Sequence, residues 1–176
     1  MNVLITGVQN AIEESIVRIA AERLKGKADF RLLSFSDFDG LEGRALDELK
    51  LIKATQQKVR QAVQGKMLPG GRGSVIVNGY CTVKTKLGFF PVLTVESVKA
   101  FKPDIMVHIS LDPLALEGKE KDPQGFLDHQ AMEKAYALFL CASAGCGLKV
   151  IHCGIEGARE AAGELIDLLK STMVGK

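Results

Sequence analysis

Five short apolar runs, alternating with helical or loop-like stretches, limit what this chain can fold into. They are Asn2 to Thr6, Phe30 to Phe35, Ser74 to Asn78, Ile105 to Leu111 and Leu148 to Cys153. Each has the length of a strand and is nearly continuous in apolar residues. Such runs belong to strands covered on both faces, and strands separated by helices pair in parallel. The pattern predicts an α/β fold with a five-stranded parallel sheet between two layers of helix. Crossovers of this kind are right-handed, and a ligand meets the carboxyl ends of the strands where the strand order switches. The expected ligand place is therefore the set of loops after Thr6, Phe35, Asn78 and Leu111.

The helices follow from apolar spacing. Ile12, Ile16, Ile19, Ala20 and Leu24 form one stripe of a helix from about 11 to 25, ended by Gly26 between two lysines. Leu49, Ile52, Val59 and Val63 are helically spaced within 45–63, a segment rich in Lys and Gln. A short helix over 94–101 stops before Pro103. A long one runs from 124 or 125 to about 143, and Ala161, Leu165, Leu168 and Leu169 mark a last one over 158–169. Residues 39–44, 66–73 and 79–91 read as irregular connections. Residues 113–125, polar and holding Gly118, Pro123 and Gly125, read as a mobile loop. On the long helix, Ala131, Ala135, Leu138, Phe139 and Ala142 could share a face. A stripe of this kind is read first as core and otherwise as an exposed docking surface.

Bulk properties exclude several classes. At 176 residues the chain is sized for one domain. No apolar run reaches the ~18 residues of a membrane span, and no basic n-region with an h-region opens the chain. A cytoplasmic protein without a membrane partner is expected. The net charge of +2 comes without a basic cluster interleaved with aromatics, which argues against nucleic acid. Cys81, Cys141, Cys146 and Cys153 contain no C-x-x-C pair. His152 and Cys153, adjacent on a strand, point to opposite faces, so buried thiols are expected and no metal ligands are assigned. His108, inside the fourth run, reads as a hydrogen-bonded core histidine.

The opening residues pose a conflict. A strand, a Gly turn and a helix are the setting of a phosphate-binding loop. A G-x-x-x-x-G-K-[ST] loop opened at Gly7 would place its second Gly, its Lys and its hydroxyl where this chain has Ile12, Glu13 and Glu14. Glu in place of Lys turns like charge toward a phosphate. The same residues suit a self-capped helix. Asn10 is an N-cap, Glu13 completes a capping box, and Glu13 and Glu14 bring negative charge to the positive end of the dipole. The Gly-Gly-Arg run ending at Arg72 precedes a strand rather than a helix and reads as a linker.

Three stretches carry a resemblance. Val77-Asn-Gly-Tyr-Cys-Thr-Val-Lys-Thr85 is followed by Gly88-Phe-Phe-Pro91, Asp128-His-Gln-Ala-Met132 opens the long helix, and Thr6-Gly7-Val8 opens the first loop. Together they resemble the archaeal-type adenylate kinases, a branch of the P-loop nucleotide kinases, over nearly the whole chain. The resemblance implies a three-layer P-loop nucleotide-kinase-like fold in a single domain, with an NMP-side insertion at about 37–73 and a reduced lid loop at about 112–125. It implies self-association as a trimer or dimer. It also offers Gly7, Val8, Gln9, Asn10 and Ser15, with Thr82, Lys84 and Thr85, as candidate nucleotide contacts. Members of the family transfer a phosphoryl group from ATP to AMP with magnesium.

The departures fall on the chemistry. The family's Pro-Gly-x-Gly-Lys-Thr-Thr is Gln9-Asn-Ala-Ile-Glu-Glu-Ser15 here, and its Asp-Thr-His is Asn78-Gly79-Tyr80. No arginine occurs between Arg72 and Arg159; Lys119 and Lys121 offer only point charges in the lid. Phosphoryl transfer rests on positioning and charge, and one transition-state arginine is worth about three to five orders of magnitude. The expectation is an adenylate-kinase-like protein without ordinary ATP:AMP transfer, acting as a nucleotide-binding, regulatory or assembly homologue. No catalytic residue is assigned, and ATP or AMP with magnesium is implied only if kinase-like binding is retained. The alternatives are a divergent active adenylate or nucleoside-monophosphate kinase using Thr82, Lys84 and Thr85, or a pure interaction module.

Overall fold

The computed structural model describes residues 1–8, 10–26, 30–35, 53, 56, 57, 60, 74–118, 120–154 and 157–174. The first strand, β1 (Asn2–Thr6), becomes the centre of the sheet because every one of its residues from Val3 to Thr6 is buried. On one side it pairs in parallel with β3 (Ser74–Gly79), which pairs in turn with β2 (Phe30–Ser34). On the other it pairs with β6 (Ile105–Leu111), followed by β7 (Gly147–Cys153). The five-stranded order is β2-β3-β1-β6-β7, all parallel, as the alternating pattern required. The order reverses at β1, so the crevice at its carboxyl end opens between β3 and β6.

Strand alternation divides the core. Val3 and Ile5 face one layer, made by α1 (Ala11–Leu24) and α4 (Ala158–Val174), through Ile16, Val17, Ala20, Leu165 and Leu169. Leu4 and Met106 face the other layer, made by α2 (Val95–Phe101) and α3 (Pro123–Ala144), through Val98, Phe101, Ala137 and Leu140. α2 is capped by Thr94, whose hydroxyl accepts from the Ser97 amide at 3.2 Å. Gly145, at φ 72°, ends α3 in the left-handed turn that glycine adopts without strain.

Four expectations need correction. The stretch 79–91 is not irregular: β4 (Thr82–Thr85) and β5 (Gly88–Pro91) form a separate antiparallel hairpin. Its turn is held by the Thr85 hydroxyl, which accepts from the Leu87 amide at 3.1 Å and donates to the Gly88 carbonyl at 3.0 Å. Second, the expected loop 113–125 holds a 3-10 turn at Pro113–Leu116, capped by Asp112, with Ala115 and Leu116 buried in it. α3 also starts at Pro123, because proline at a first helical position costs no hydrogen bond and Asp122 accepts from the Gly125 amide at 3.0 Å. Third, the last helix runs five residues further, to Val174. Fourth, the stripe read first as core lies outside. Ala131, Ala135 and Ala142 are exposed, as are Leu138 at 59% and Phe139 at 52%, with Met132 at 43% beside them. The buried face of α3 is Phe126, Gln130, Glu133, Ala137, Leu140 and Cys141. The expected helix over 45–63 lies outside the described residues except for Lys53, Gln56, Gln57 and Arg60, and so does the expected insertion over 37–73 in its remainder.

Candidate functional site

At the carboxyl end of β1, Thr6 stands in register with Gly79 of β3 and His108 of β6. The chain then turns at Gly7 into α1. Asn10 caps that helix as its sequence predicts: its side-chain oxygen accepts from the Ile12 amide at 2.9 Å and the Glu13 amide at 2.8 Å. Two donors that a phosphate would otherwise meet are therefore already satisfied by the chain itself.

Glu13 does not close the capping box. Its side chain lies in the hollow of the Gly7 turn, 4% exposed, and its carboxyl hydrogen-bonds to the side chain of Asn78. A Cβ added to Gly7 would lie 3.2 Å from Glu13 Cγ and 3.1 Å from the Ile109 carbonyl, so no unfilled space remains there. Burial pushes the Glu13 carboxyl from 4.5 up to about 8, against the Asn78 bond that lowers it and with help from Glu14 and Glu133. At neutral pH it is mostly protonated. The negative charge expected at this helix start is thus carried by the exposed Glu14 rather than by both residues.

α3 holds the other side of the crevice. Glu133, fully buried, accepts from the Cys81 and Thr82 amides, the latter at 2.8 Å, and from the Thr82 hydroxyl at 2.6 Å. Burial raises this carboxyl to about 7, while the bonds from Cys81 and Thr82 pull it down. One turn earlier Gln130 grips the end of β6 at two points, accepting from the Leu111 amide at 2.7 Å and donating to its carbonyl at 3.0 Å. His129 stands 3.2 Å from the Thr82 hydroxyl and lies over Phe89, with ring centroids 5.2 Å apart. Burial, with Lys84 nearby, holds its imidazole below the ordinary range despite the Thr82 carbonyl. The segment 78–82 is therefore fastened at both ends by buried carboxyls, Glu13 through Asn78 and Glu133 through Cys81 and Thr82.

His108 is a core residue, 0% exposed, with Nδ1 3.5 Å from the Thr6 hydroxyl. Burial lowers it to about 4, so it is neutral at physiological pH. On β7, His152 is exposed and Cys153 buried, on opposite faces as their adjacency requires.

Of the residues expected to contact a nucleotide, Gly7, Val8 and Asn10 sit together at the start of α1, and Ser15 is half-buried in its second turn. Gln9 lies outside the described residues. Thr82 is locked to Glu133, Lys84 pairs with Asp122 at 3.6 Å, and Thr85 holds the hairpin turn. Sequence reasoning missed Glu133. Its signal was available: with Phe126, Gln130 and Ala137 it continues an i, i+4, i+7 row, and a row carrying two polar residues on a buried face must be bonded to something.

These features define a class first: a three-layer α/β fold with a five-stranded parallel sheet between two layers of helix. In solved structures, the crystal structure of APE1195 matches 97% of this chain and 95% of its own, with a TM-score of 0.52 and 12% identity. PAB0955, a GTPase of Pyrococcus abyssi in its apo form, matches 93% of this chain and 71% of its own at the same TM-score of 0.52 and 12% identity. By sequence, the chain is 25% identical to the adenylate kinase of Pyrococcus furiosus, over 95% of this chain and 94% of that one. It is 23% identical to that of Methanopyrus kandleri, over 96% and 97%, and 26% identical to that of Methanoculleus marisnigri, over 85% and 88%. By sequence the chain is thus similar to archaeal adenylate kinases over nearly its whole length. No family model matches it.

Proposed function

We propose that this adenylate-kinase-like chain does not carry out ordinary ATP:AMP phosphoryl transfer and works as a nucleotide-binding, regulatory or assembly homologue. The observation that carries this reading is Glu13. A buried carboxyl fills the hollow of the Gly7 turn, where the resemblance would seat a phosphate, and Asn10 occupies two of the amides that phosphate would need. The residues present do not fit a triphosphate with magnesium at that place: the wall offers acceptors where phosphate requires donors and cations. Thr82 and Thr85 are engaged in holding the fold, which weighs against their use as phosphate contacts, whereas Lys84 makes only an exposed ion pair with Asp122. The short 3-10 turn at Pro113–Leu116 fits the reduced lid read from the sequence.

The test is a coupled assay of ADP formation from ATP and AMP with magnesium, beside the adenylate kinase of Pyrococcus furiosus. Turnover is expected to be at least about a thousandfold lower, the low end of what one missing transition-state cation costs. Comparable turnover, abolished by Lys84→Ala, would establish the divergent-kinase alternative instead. Thermal-shift measurements with ATP, ADP and AMP then test retained nucleotide binding.

The assembly form of this reading is favoured by one further observation, the exposed apolar stripe Ala131, Met132, Ala135, Leu138, Phe139 and Ala142 on α3. Sedimentation of the wild type and of Leu138→Glu reads it: a lower mass for the variant supports association through α3, and a monomeric wild type refutes self-association.

A further inference from the structure

Beside the filled turn, a shallow cleft opens between α1 and the ends of β2 and β3. Its polar wall is Glu13, Glu14, Ser34 and Asn78, over Phe35 and Gly79. Glu13 and Asn78 use one donor and one acceptor on each other, and this leaves Glu13 Oε1 and Asn78 Oδ1 buried without a partner. Their residues are 4% and 6% exposed. Unpartnered buried acceptors are costly, and once Glu13 is ionised and has no O–H of its own, what these two oxygens lack is a donor. The floor of the cleft has room for about one water-sized group, and its mouth is open to solvent, so a compact polar head can enter with its stem outside.

Charge narrows the choice. Once Glu13 releases its proton, two carboxylates on one small wall favour a cationic donor over a neutral one. A hard metal ion asks for six or more oxygens or a strict octahedron, and no group of three His, Cys, Asp or Glu suited to a metal occurs among the described residues. An ammonium needs only acceptors for its three N–H bonds. We propose that this cleft binds a primary ammonium group, which donates to Glu13 Oε1 and Asn78 Oδ1 with Glu14 at the rim. The site would be the electrostatic inverse of a phosphate seat, built on the same strand–turn–helix. The elevated Glu13 carboxyl agrees with this, since a buried acid without a counter-charge holds its proton. The ammonium can come from a small free amine or from a lysine side chain of another protein.

The test uses the full-length ¹⁵N-labelled chain at about pH 8.5, where Glu13 is largely ionised and alkylammonium ions remain protonated. Amide shifts of Asn78 and Gly79 are followed as methylammonium chloride is added, with tetramethylammonium chloride as a control of equal charge and no N–H donor. Saturable shifts with methylammonium alone are expected, weakened about tenfold or more in Glu14→Gln, the loss that a charge-assisted hydrogen bond implies. Glu14 is exposed, so this variant keeps the fold even if Glu13→Gln does not. Tighter saturation by 1,4-diaminobutane assigns a free amine as the source; tighter saturation by Nα-acetyl-lysine amide assigns a lysine side chain. Absence of saturation, an equal response to tetramethylammonium, or a response to magnesium chloride alone overturns the proposal. The phosphotransfer assay does not report on this cleft, so the two readings fail separately.

Discussion

Replacing Glu13 by Gln removes an ionisable group while keeping its size and one acceptor oxygen, and its effect on stability is set by the burial of the side chain. An unfolded chain releases the Glu13 proton near pH 4.5, whereas the folded chain holds it to about pH 8. Between those values the folded state binds more protons, so stability is fully present below pH 4.5 and is lost as pH rises through about 8. At about 1.4 kcal/mol for each tenfold change in proton affinity, the loss has a ceiling of about 5 kcal/mol. Glu133, raised from 4.5 to about 7, contributes in the same direction over a narrower window. Urea denaturation of wild type and Glu13→Gln at pH 4.5, 6, 7 and 8.5 reads the difference. The variant should lose less stability across this range, and at pH 8.5 it should be the more stable protein by about 2–4 kcal/mol, part of that ceiling. Parallel curves for the two proteins would refute the burial argument, because a solvated Glu13 has no such linkage.

Other substitutions test separate parts of the structure. Glu133→Ala orphans two buried amides and leaves the Thr82 hydroxyl to His129 alone, and should lower unfolding free energy by about 3–5 kcal/mol in urea titrations. Asn10→Ala removes both bonds at the start of α1 and should cost about 1 kcal/mol by the same method. Gly79→Ala would drive a methyl into the Phe35 ring, which packs edge-on against Tyr80. A ring cannot yield as a flexible chain end does, so a cost of about 1–3 kcal/mol is expected, seen as a lowered melting temperature.

The sheet was legible because its strands are buried on both sides, which writes each one as an apolar run whose place does not depend on context. Asn10 was legible for a related reason: a cap is decided by residues within one turn. The hairpin at 82–91 was hidden, since Thr-Val-Lys-Thr and Gly-Phe-Phe-Pro are short and half-exposed and give no long apolar signal. α3 misled in a more instructive way. Apolar residues occupy both of its sides, so periodicity alone could not say which faced the sheet, and the face holding Glu133 and Gln130 looked the poorer core. Those two polar residues are inside because strand ends have unpaired backbone groups that something must satisfy. Glu13 was read as a charge on a helix end; that it turns inward to Asn78 depends on a strand 65 residues later, a relation visible only in three dimensions.

The two grips of α3, Glu133 on Cys81 and Thr82 and Gln130 on Leu111, tie together the ends of two strands that are not neighbours in the sheet. Hydrogen exchange gives that arrangement a kinetic meaning. The amide protons of Cys81, Thr82 and Leu111 are shielded by side chains of one rigid helix, and none can meet solvent until that helix lifts. They should exchange as one cooperative unit, with one opening free energy, although 30 positions of sequence separate the first from the last. Loops that in a mobile enzyme would open independently are here geared to a single shaft.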